Sequence, residues 1–304
     1  MPKQQKRMGA VCVAILAALL TALSFAGSAS AKLTGEFARF EFCPYKNPEV
    51  IRCFHALTDG GEAVLGSKKV PIVNPVTLQG GYNEPPESEE ITGFSEDFFG
   101  ATNGVTLSKS PQPVPGGLLG LVPPENSPPL VKALVELAAE NGLTGVNSTL
   151  EIAGSPSDIK IRELALALGE GVTLILPLKA KLENPLLGNA CYVGSDKAPL
   201  IFELRADTTN PPPPNKPITG SGGQVTFIEG GQVLRLDDAV IVDNAWSAPA
   251  AKGCGGVLLS ALIDPVINAA AGLPAPAGTN TAILESTIHT TTAFALNKNN
   301  NENP

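Results

Sequence analysis

The sequence has few aromatic side chains, few histidines and little positive charge. Its 304 residues include one Trp, three Tyr and two His, and the formal net charge is −8. So few rings argue against a carbohydrate-binding surface, which would need several exposed aromatic side chains. An acidic chain without a basic patch repels phosphate groups, and this excludes nucleic acid as a partner.

Signatures of catalysis and of metal binding are also missing from the sequence. It has no Gly-x-Ser-x-Gly motif, no Cys-x-x-Cys pair and no paired-histidine spacing. His55 and His289 have no catalytic partner nearby in the sequence, and we expect neither to be catalytic. Asp237, Asp238 and Asp243 lie on or beside one predicted strand and are the carboxylates that could serve glycoside hydrolysis. We therefore predict a protein that is not an enzyme and uses no cofactor or metal.

The first 31 residues have the pattern of a secretory signal peptide. A basic start precedes an apolar run over 8–26, and Ala29-Ser30-Ala31 fits the small-x-small rule for cleavage after Ala31. A retained membrane anchor is the alternative, but the apolar run is short and interrupted by hydroxyl side chains. No later segment is long and apolar enough to span a bilayer. We expect a secreted protein, released or held at the cell surface by non-covalent contacts.

Four cysteines remain after this cleavage: Cys43, Cys53, Cys191 and Cys254. An even number of cysteines in an exported chain predicts disulfides, with three possible connectivities. We favour Cys43–Cys53, which flanks a turn, and Cys191–Cys254, which joins two turn-rich loops. Free thiols are the alternative, and the spacing does not favour zinc.

Strand-like alternation is the main pattern of the chain. Between Val172 and Leu182 apolar side chains occupy every second position, which is typical of a strand with one buried face. Similar patterns predict further strands at 35–42, 50–57, 146–153, 159–168, 199–207, 224–229, 232–243 and 280–297, the last of which is long. We expect a mainly β fold, an antiparallel β-sandwich or a barrel-like sheet, stabilised by disulfides.

Two segments, at about 129–140 and 257–271, have helical spacing instead. Leu130, Leu134 and Leu137 share one face of the first segment, and apolar residues recur at three and four in the second. The sequence predicts five regions: a signal peptide at 1–31, an N-terminal β region at 32–110, a Pro/Gly-rich connector at 111–129, a main β-rich region with both helices at 130–296 and a disordered tail at 297–304. The connector is either a domain linker or an excursion across the end of a single sandwich.

An acidic, proline-bearing loop follows the N-terminal strands. Between 84 and 97 it holds the carboxylates Glu84, Glu87, Glu89, Glu90, Glu96 and Asp97. Calcium takes several carboxylate oxygens, but the spacing matches no EF-hand. We expect a solvated loop, and calcium binding is the alternative.

Three stretches resemble uncharacterised secreted proteins of high-GC Gram-positive bacteria. They are Val-Pro-Ile-Val-Asn-Pro-Val-Thr-Leu-Gln-Gly-Gly at 70–81, Asn-Pro-Leu-Leu-Gly-Asn-Ala-Cys-Tyr-Val-Gly-Ser at 184–195 and the proline run that leads to Pro-Ile-Thr-Gly at 217–220. The resemblance, which includes the leader, implies export and a shared fold. It implies no activity and no functional residues.

These observations favour a secreted, non-enzymatic β-rich protein that acts by binding or as a component of the cell envelope. A carrier of an apolar ligand such as a lipid is the second interpretation, because long alternating strands and an apolar helix could enclose a cavity on the order of several hundred Å3. A secreted hydrolase is the third. It would be favoured if Asp237, Asp243 or His289 clustered in one concave pocket.

Overall fold

A computed structural model describes residues 32–84 and 93–302 of the chain. The predicted signal peptide lies outside these residues, as do three glutamates of the acidic loop, so both interpretations stay predictions. No helix in the described ranges combines the length and the apolar composition needed to cross a bilayer.

The described residues form one antiparallel sheet of 14 strands that curls into half a barrel. The strands are β1 Arg52–Leu65, β2 Lys68–Pro71, β3 Val76–Tyr82, β4 Phe98–Gly100, β5 Gln112–Pro113, β6 Asn147–Ile152, β7 Lys160–Ile161, β8 Val172–Glu183, β9 Tyr192–Val193, β10 Leu200–Arg205, β11 Gln224–Ile228, β12 Val233–Asp243, β13 Ala251–Lys252 and β14 Thr281–Thr292. The helices are α1 Gly117–Leu121, α2 Pro129–Glu140, α3 Glu163–Leu168, α4 Gly256–Ala271 and α5 Ala293–Glu302. The mainly β fold and both predicted helical segments are confirmed. The strand predicted at 159–168 is wrong from Glu163 onwards, where α3 forms. The buried side chains of α2 are Val131 and Val135, whereas Leu130 and Leu137 are exposed.

The strand order is β13-β9-β8-β10-β12-β14-β1-β3-β4, with β6 and β7 also paired to β8, β11 to β12 and β2 to β1. One segment, 105–113, connects the two sides of the curl. Leu107 forms a bridge with Leu78 of β3, and Gln112 pairs with Ser148 of β6. The curl therefore brings β3 and β6 to the two ends of the same short segment.

The alternation in β8 produces the buried face that the sequence predicts. Leu174, Leu176, Leu178, Ala180 and Leu182 are all buried, and the lysines and glutamate between them are partly exposed. Because side chains of a strand alternate between two faces, the five buried residues line the concave side of the sheet.

The predicted strand at 35–42 is wrong, since Gly35–Phe40 forms a 3-10 helix. Its two phenylalanines, Phe37 and Phe40, lie three residues apart, a spacing that places them on one side of a 3-10 helix. Both are buried in a second apolar cluster on the convex face of the sheet, together with Val233 and Leu296. Burial of each ring contributes about 2 kcal/mol, so this packing decides the local conformation.

The connector at 111–129 is an excursion across one end of the sheet. It contains β5 and α1, and Leu118 and Leu121 are fully or almost fully buried in the main core. The prolines of this connector restrict its backbone, which follows one ordered path along the protein.

The predicted disordered tail at 297–304 is wrong as far as Glu302, because α5 continues through it. Leu296 is buried, and the Asn297 amide donates hydrogen bonds to the carbonyl oxygens of Tyr45 and Ala293 at 3.0 Å. Strand β14 ends at Thr292, five residues before the predicted strand end. Residues 303–304 lie outside the described ranges.

Both disulfides of the favoured pairing are present. Cys43–Cys53 fastens the segment after the 3-10 helix to β1, and Cys191–Cys254 joins the loops before β9 and α4, with Cα–Cα distances of 5.9 and 4.1 Å. All four cysteines are buried. The bridges therefore tie covering segments to the sheet.

We expect removal of the long-range bridge to cost more stability. Cys191→Ala with Cys254→Ala frees a loop with a sequence separation of 63, and Cys43→Ala with Cys53→Ala frees one with a separation of 10. Loop-closure entropy predicts losses of about 4 and about 3 kcal/mol. Guanidinium denaturation of both double variants measures the difference. A larger loss for the Cys43–Cys53 pair would contradict this account.

Candidate functional site

The concave side of the sheet encloses an apolar cavity with a volume of about 120 Å3. Of the side chains that line it, twenty are apolar and six are uncharged polar, and none is ionisable. The polar ones are Thr58, Ser108, Ser110, Gln112, Ser148 and Ser286. Such a surface gives a charged ligand no counter-ion, but it matches an apolar one.

Strand alternation explains which residues face the cavity. Alternate residues of the long strands contribute to it: Phe54, Ala56 and Thr58 from β1, Leu174, Leu176, Leu178 and Ala180 from β8, and Leu284, Ser286 and Ile288 from β14. These strands are distant in sequence, so the cavity exists only when the curled sheet has formed.

Most polar groups of the wall already have partners in the protein. The hydroxyls of Thr58 and Ser286 lie 2.8 Å apart. The Gln112 amide connects β5 to the residues just before β3. Its Oε1 accepts from the backbone N–H groups of Val73 and Asn74 at 2.9 and 3.0 Å, and its Nε2 donates to the Asn74 carbonyl at 2.6 Å. Because these groups are already hydrogen-bonded within the protein, a ligand does not have to supply partners for them.

Trp246 is the exception. Its side chain lines the cavity, is 5% exposed and packs against the Phe202 ring, with 4.6 Å between ring centroids. Its indole Nε1 is buried and has no hydrogen-bond partner among the described residues. An indole N–H is a donor only, and buried donors in proteins are normally paired.

A polar cluster continues the concave face of β1 and β14 beyond one end of the cavity. Glu163 at the start of α3 accepts at Oε1 from Arg52 Nη2 and Thr290 Oγ1, each at 2.6 Å. Arg52 Nε and the Tyr82 hydroxyl contact Oε2 of the same carboxylate. Burial, and then the charge of Glu163, raises the pKa of Tyr82 well above its ordinary value. Within the cluster the positive charge of Arg52 balances the negative charge of Glu163.

Helices cover the opposite end, where β1 turns into β2. Ser67 in that turn donates from its backbone N–H to the Ala271 carbonyl at the end of α4, at 2.8 Å. Lys68 Nζ donates to the Gly120 carbonyl of α1, also at 2.8 Å. Ile263 and Ile267 of α4 are fully buried in the core that surrounds the cavity. The helical cover is therefore packed onto the sheet.

The structure does not gather the carboxylates and histidines singled out in the sequence. Asp243 is buried and accepts from the backbone N–H groups of Glu203 and Ala245 at 2.8 and 2.9 Å, whereas Asp237 pairs with Arg235 at 2.8 Å. Burial raises the pKa of Asp243. Asp238 occupies a bulge in β12 with φ +54°. None of these carboxylates lines the cavity.

His55 and His289 face each other from adjacent strands, on the convex side of the sheet. Their ring centroids are 6.4 Å apart, and His289 is 3% exposed with neither ring nitrogen hydrogen-bonded to a described residue. Burial, then the charges of Arg39 and His55, lowers the pKa of His289 to about 4. Glu36 opposes this shift and Arg235 adds to it. The pair is therefore neutral at pH 7.

The fold and the cavity together define a curled antiparallel β-sheet protein with an apolar interior. Comparison of the chain with protein-family models, curated proteins and solved structures finds no match. In the described part of the chain, no three His, Cys, Asp or Glu side chains come together in a way that could hold a metal ion.

We expect His289 to make the protein less stable in acid. Because its pKa is about 4 in the folded chain and about 6.5 when unfolded, the unfolded state binds the proton more readily. Its contribution is fully present above pH 6.5 and falls by roughly 3 kcal/mol as the pH drops to 4. Urea denaturation of the wild type and of His289→Phe between pH 4 and 7.5 measures it. A stability difference that does not change with pH would contradict the assignment.

Proposed function

We propose that the chain is an exported, non-enzymatic protein that binds an apolar ligand in the cavity. The observation that carries this proposal is a cavity of about 120 Å3 without a single ionisable lining side chain, enclosed by the strands that form the fold. Export is supported by the predicted leader and by two buried disulfides, which are typical of oxidising compartments.

The volume points to a small ligand. Pockets for drug-sized molecules measure about 300 Å3 or more, and a dry engineered cavity of about 150 Å3 holds benzene. At about 120 Å3 the cavity is smaller than the several hundred Å3 expected from the sequence. It fits one ring or a short alkyl chain, or the end of a longer chain that enters from outside.

Binding of such a ligand has a clear physical source. An empty apolar cavity destabilises the fold by about 24 cal/mol for each Å3, so a volume of about 120 Å3 corresponds to about 3 kcal/mol. A ligand that fills the space makes dispersion contacts that recover a free energy of similar size. It also gains free energy because its apolar surface is removed from water. We therefore expect dissociation constants of about 0.1 to 10 mM for benzene-sized probes.

The hydrolase interpretation has less support. Asp237 is paired with Arg235, Asp243 holds two backbone N–H groups, and His289 lies on the convex face of the sheet. The polar cluster around Glu163 is neutralised by Arg52. None of these groups shares the cavity where a ligand would be held.

The binding proposal is tested by filling the cavity from its wall. Ala56 lines the cavity, and Ala56→Leu places three extra carbon atoms in it. Benzene should raise the melting temperature of the wild type progressively as its concentration increases. This shift should be lost in Ala56→Leu, whose unfolding free energy stays equal or rises. Ala133→Leu, on the exposed side of α2, is the matched control and should keep the shift.

Two results would overturn the proposal. One is no benzene-dependent shift in the wild type, and the other is the same shift in the wild type and in Ala56→Leu. Native mass spectrometry of protein purified from its own host gives a second measurement, because a bound apolar compound adds its mass to that of the chain.

Association with the cell envelope is a second candidate, favoured by one surface feature. Val257 and Leu258, in the first turn of α4, are 99% and 91% exposed. Fully exposed, adjacent apolar side chains are typical of an interaction surface.

The test replaces both side chains with polar ones. Val257→Gln with Leu258→Gln should move the protein from the envelope fraction to the medium when the producing cells are fractionated. Phe227→Gln, at an exposed apolar position on β11, is the control and should leave the distribution unchanged. Equal distributions of the wild type and the double variant would contradict this candidate.

A further inference from the structure

Helix α4 presents an apolar face to solvent along most of its length. Its exposed residues are all apolar: Val257, Leu258, Ala261, Pro265 and Ala269. The first two are 99% and 91% exposed. From Val257 onwards the exposed positions recur every four residues, a spacing that places them on one side of a helix. The face extends over about three and a half turns and contains no charged side chain.

The carboxylate and amide side chains of α4 are used inside the protein. Asp264 is the one ionisable residue of the helix, and its two carboxylate oxygens accept from the backbone N–H groups of Gly253 and Cys254 at 3.1 and 2.8 Å. The Asn268 amide donates to the Ala251 carbonyl at 2.9 Å and accepts from the Ala251 N–H at 2.7 Å. These bonds fix the rotation of α4 about its axis and leave its apolar side facing outward.

A groove runs beside this face, between α4 and the connector that precedes α2. Its volume is about 440 Å3, and of the nine residues that line it only Asn126 is polar. Pro123 and Pro128 line one wall, and Leu262 and Pro265 belong to the other. An extended peptide would bring backbone N–H and C=O groups that need partners, and this groove has few to offer. A hydrocarbon chain needs none, so the groove matches an alkyl chain better than an extended peptide.

Charge distinguishes a lipid surface from a second copy of the chain as the partner of this face. The chain has a formal net charge of −8, and α4 contains no lysine or arginine. A second copy has the same charge and is repelled, and so is an anionic lipid surface. A zwitterionic lipid surface has no net charge, and its hydrocarbon matches the apolar side chains of the face.

We propose that the exposed face of α4 docks on a zwitterionic lipid surface, with Val257 and Leu258 inserted between acyl chains. This inference rests on the second candidate function, association with the cell envelope, and adds the chemistry of the partner. Helices that lie in the plane of a membrane bury one apolar face to a depth of about 5 to 10 Å. Because the attraction is hydrophobic, it persists at high salt.

Co-sedimentation with phosphatidylcholine vesicles tests the inference on protein purified from its own host. Val257→Gln with Leu258→Gln should weaken binding at least about tenfold, because two inserted apolar side chains become polar. Val225→Gln with Phe227→Gln is the matched control, since it replaces two exposed apolar side chains of β11, and it should leave binding unchanged. At low salt the wild type should bind more weakly to vesicles that contain phosphatidylglycerol.

A second variant keeps the test decisive if the double variant does not fold. Ala261→Glu places a carboxylate in the middle of the exposed face, where docking would move its charge into hydrocarbon. It should also weaken vesicle binding at least about tenfold. Ala133→Glu, at an exposed position of α2, is its matched control and should bind like the wild type.

The possible failures are distinguishable. If the wild type does not bind phosphatidylcholine vesicles, or if the α4 variants bind as well as their controls, the inference is wrong. Stronger binding to phosphatidylglycerol would refute the zwitterionic surface. A wild-type dimer in light scattering that becomes a monomer in the α4 double variant would assign the face to a second copy instead.

The two candidate functions can survive such a failure. If the double variant moves from the envelope fraction to the medium although the wild type binds no vesicles, envelope association stands with a partner other than lipid. Ala56→Leu, which fills the cavity, should bind vesicles like the wild type. The benzene experiment therefore tests the cavity independently of α4.

Discussion

The pairing of β1 with β14 is the interaction on which the rest of the structure depends. It runs in antiparallel register from Arg52 opposite Thr292 to Val64 opposite Thr281 and joins the two ends of the chain inside one sheet. Because strand side chains alternate, the same pairing builds two surfaces. The concave one bears Phe54, Ala56 and Ile288 and faces the cavity, whereas the convex one bears the histidine pair and the cluster around Phe37 and Phe40. Both faces of a central strand pair are thus buried, and each requires its own cover. Segments near the chain ends cover the convex face, and the helices cover one end of the concave side.

The two covered faces differ in how their polar groups are satisfied. In the wall of the cavity, Gln112 and the hydroxyl pairs bond within the protein and close the seam between β3 and β6. On the convex face, His289 is buried without a partner in the described residues, which is tolerable at neutral pH because the ring carries no charge. Trp246 lines the cavity, and its Nε1 is buried without a hydrogen-bond partner among the described residues.

Several elements were predictable from local pattern. The alternation in β8 and the helical spacing of α2 and α4 depend on periodicity, which is written in neighbouring residues. The turns beside the cysteines favoured the observed pairing among three possible connectivities. The segment at 35–42 was not predictable, because its aromatic-rich composition also favours a strand, and only packing against the convex face of the sheet selects the 3-10 helix. The tail after 297 is rich in asparagine and reads as disordered by composition. It becomes helical because Leu296 is buried and Asn297 bonds to Tyr45, two contacts that a linear sequence does not reveal.

The sequence by itself determined the fold class, mainly β, and favoured the two disulfides that the structure contains. It also determined the faces of the strands, because hydrophobic alternation with a period of two has one structural solution. Only the tertiary structure decided that these faces curl around a space of about 120 Å3, and that the single Trp lines it with an unpaired N–H. A cavity is the volume that side chains from distant strands fail to fill. Its size and its one free donor depend on strand order, register and curvature, and none of these is encoded in the period of any one segment.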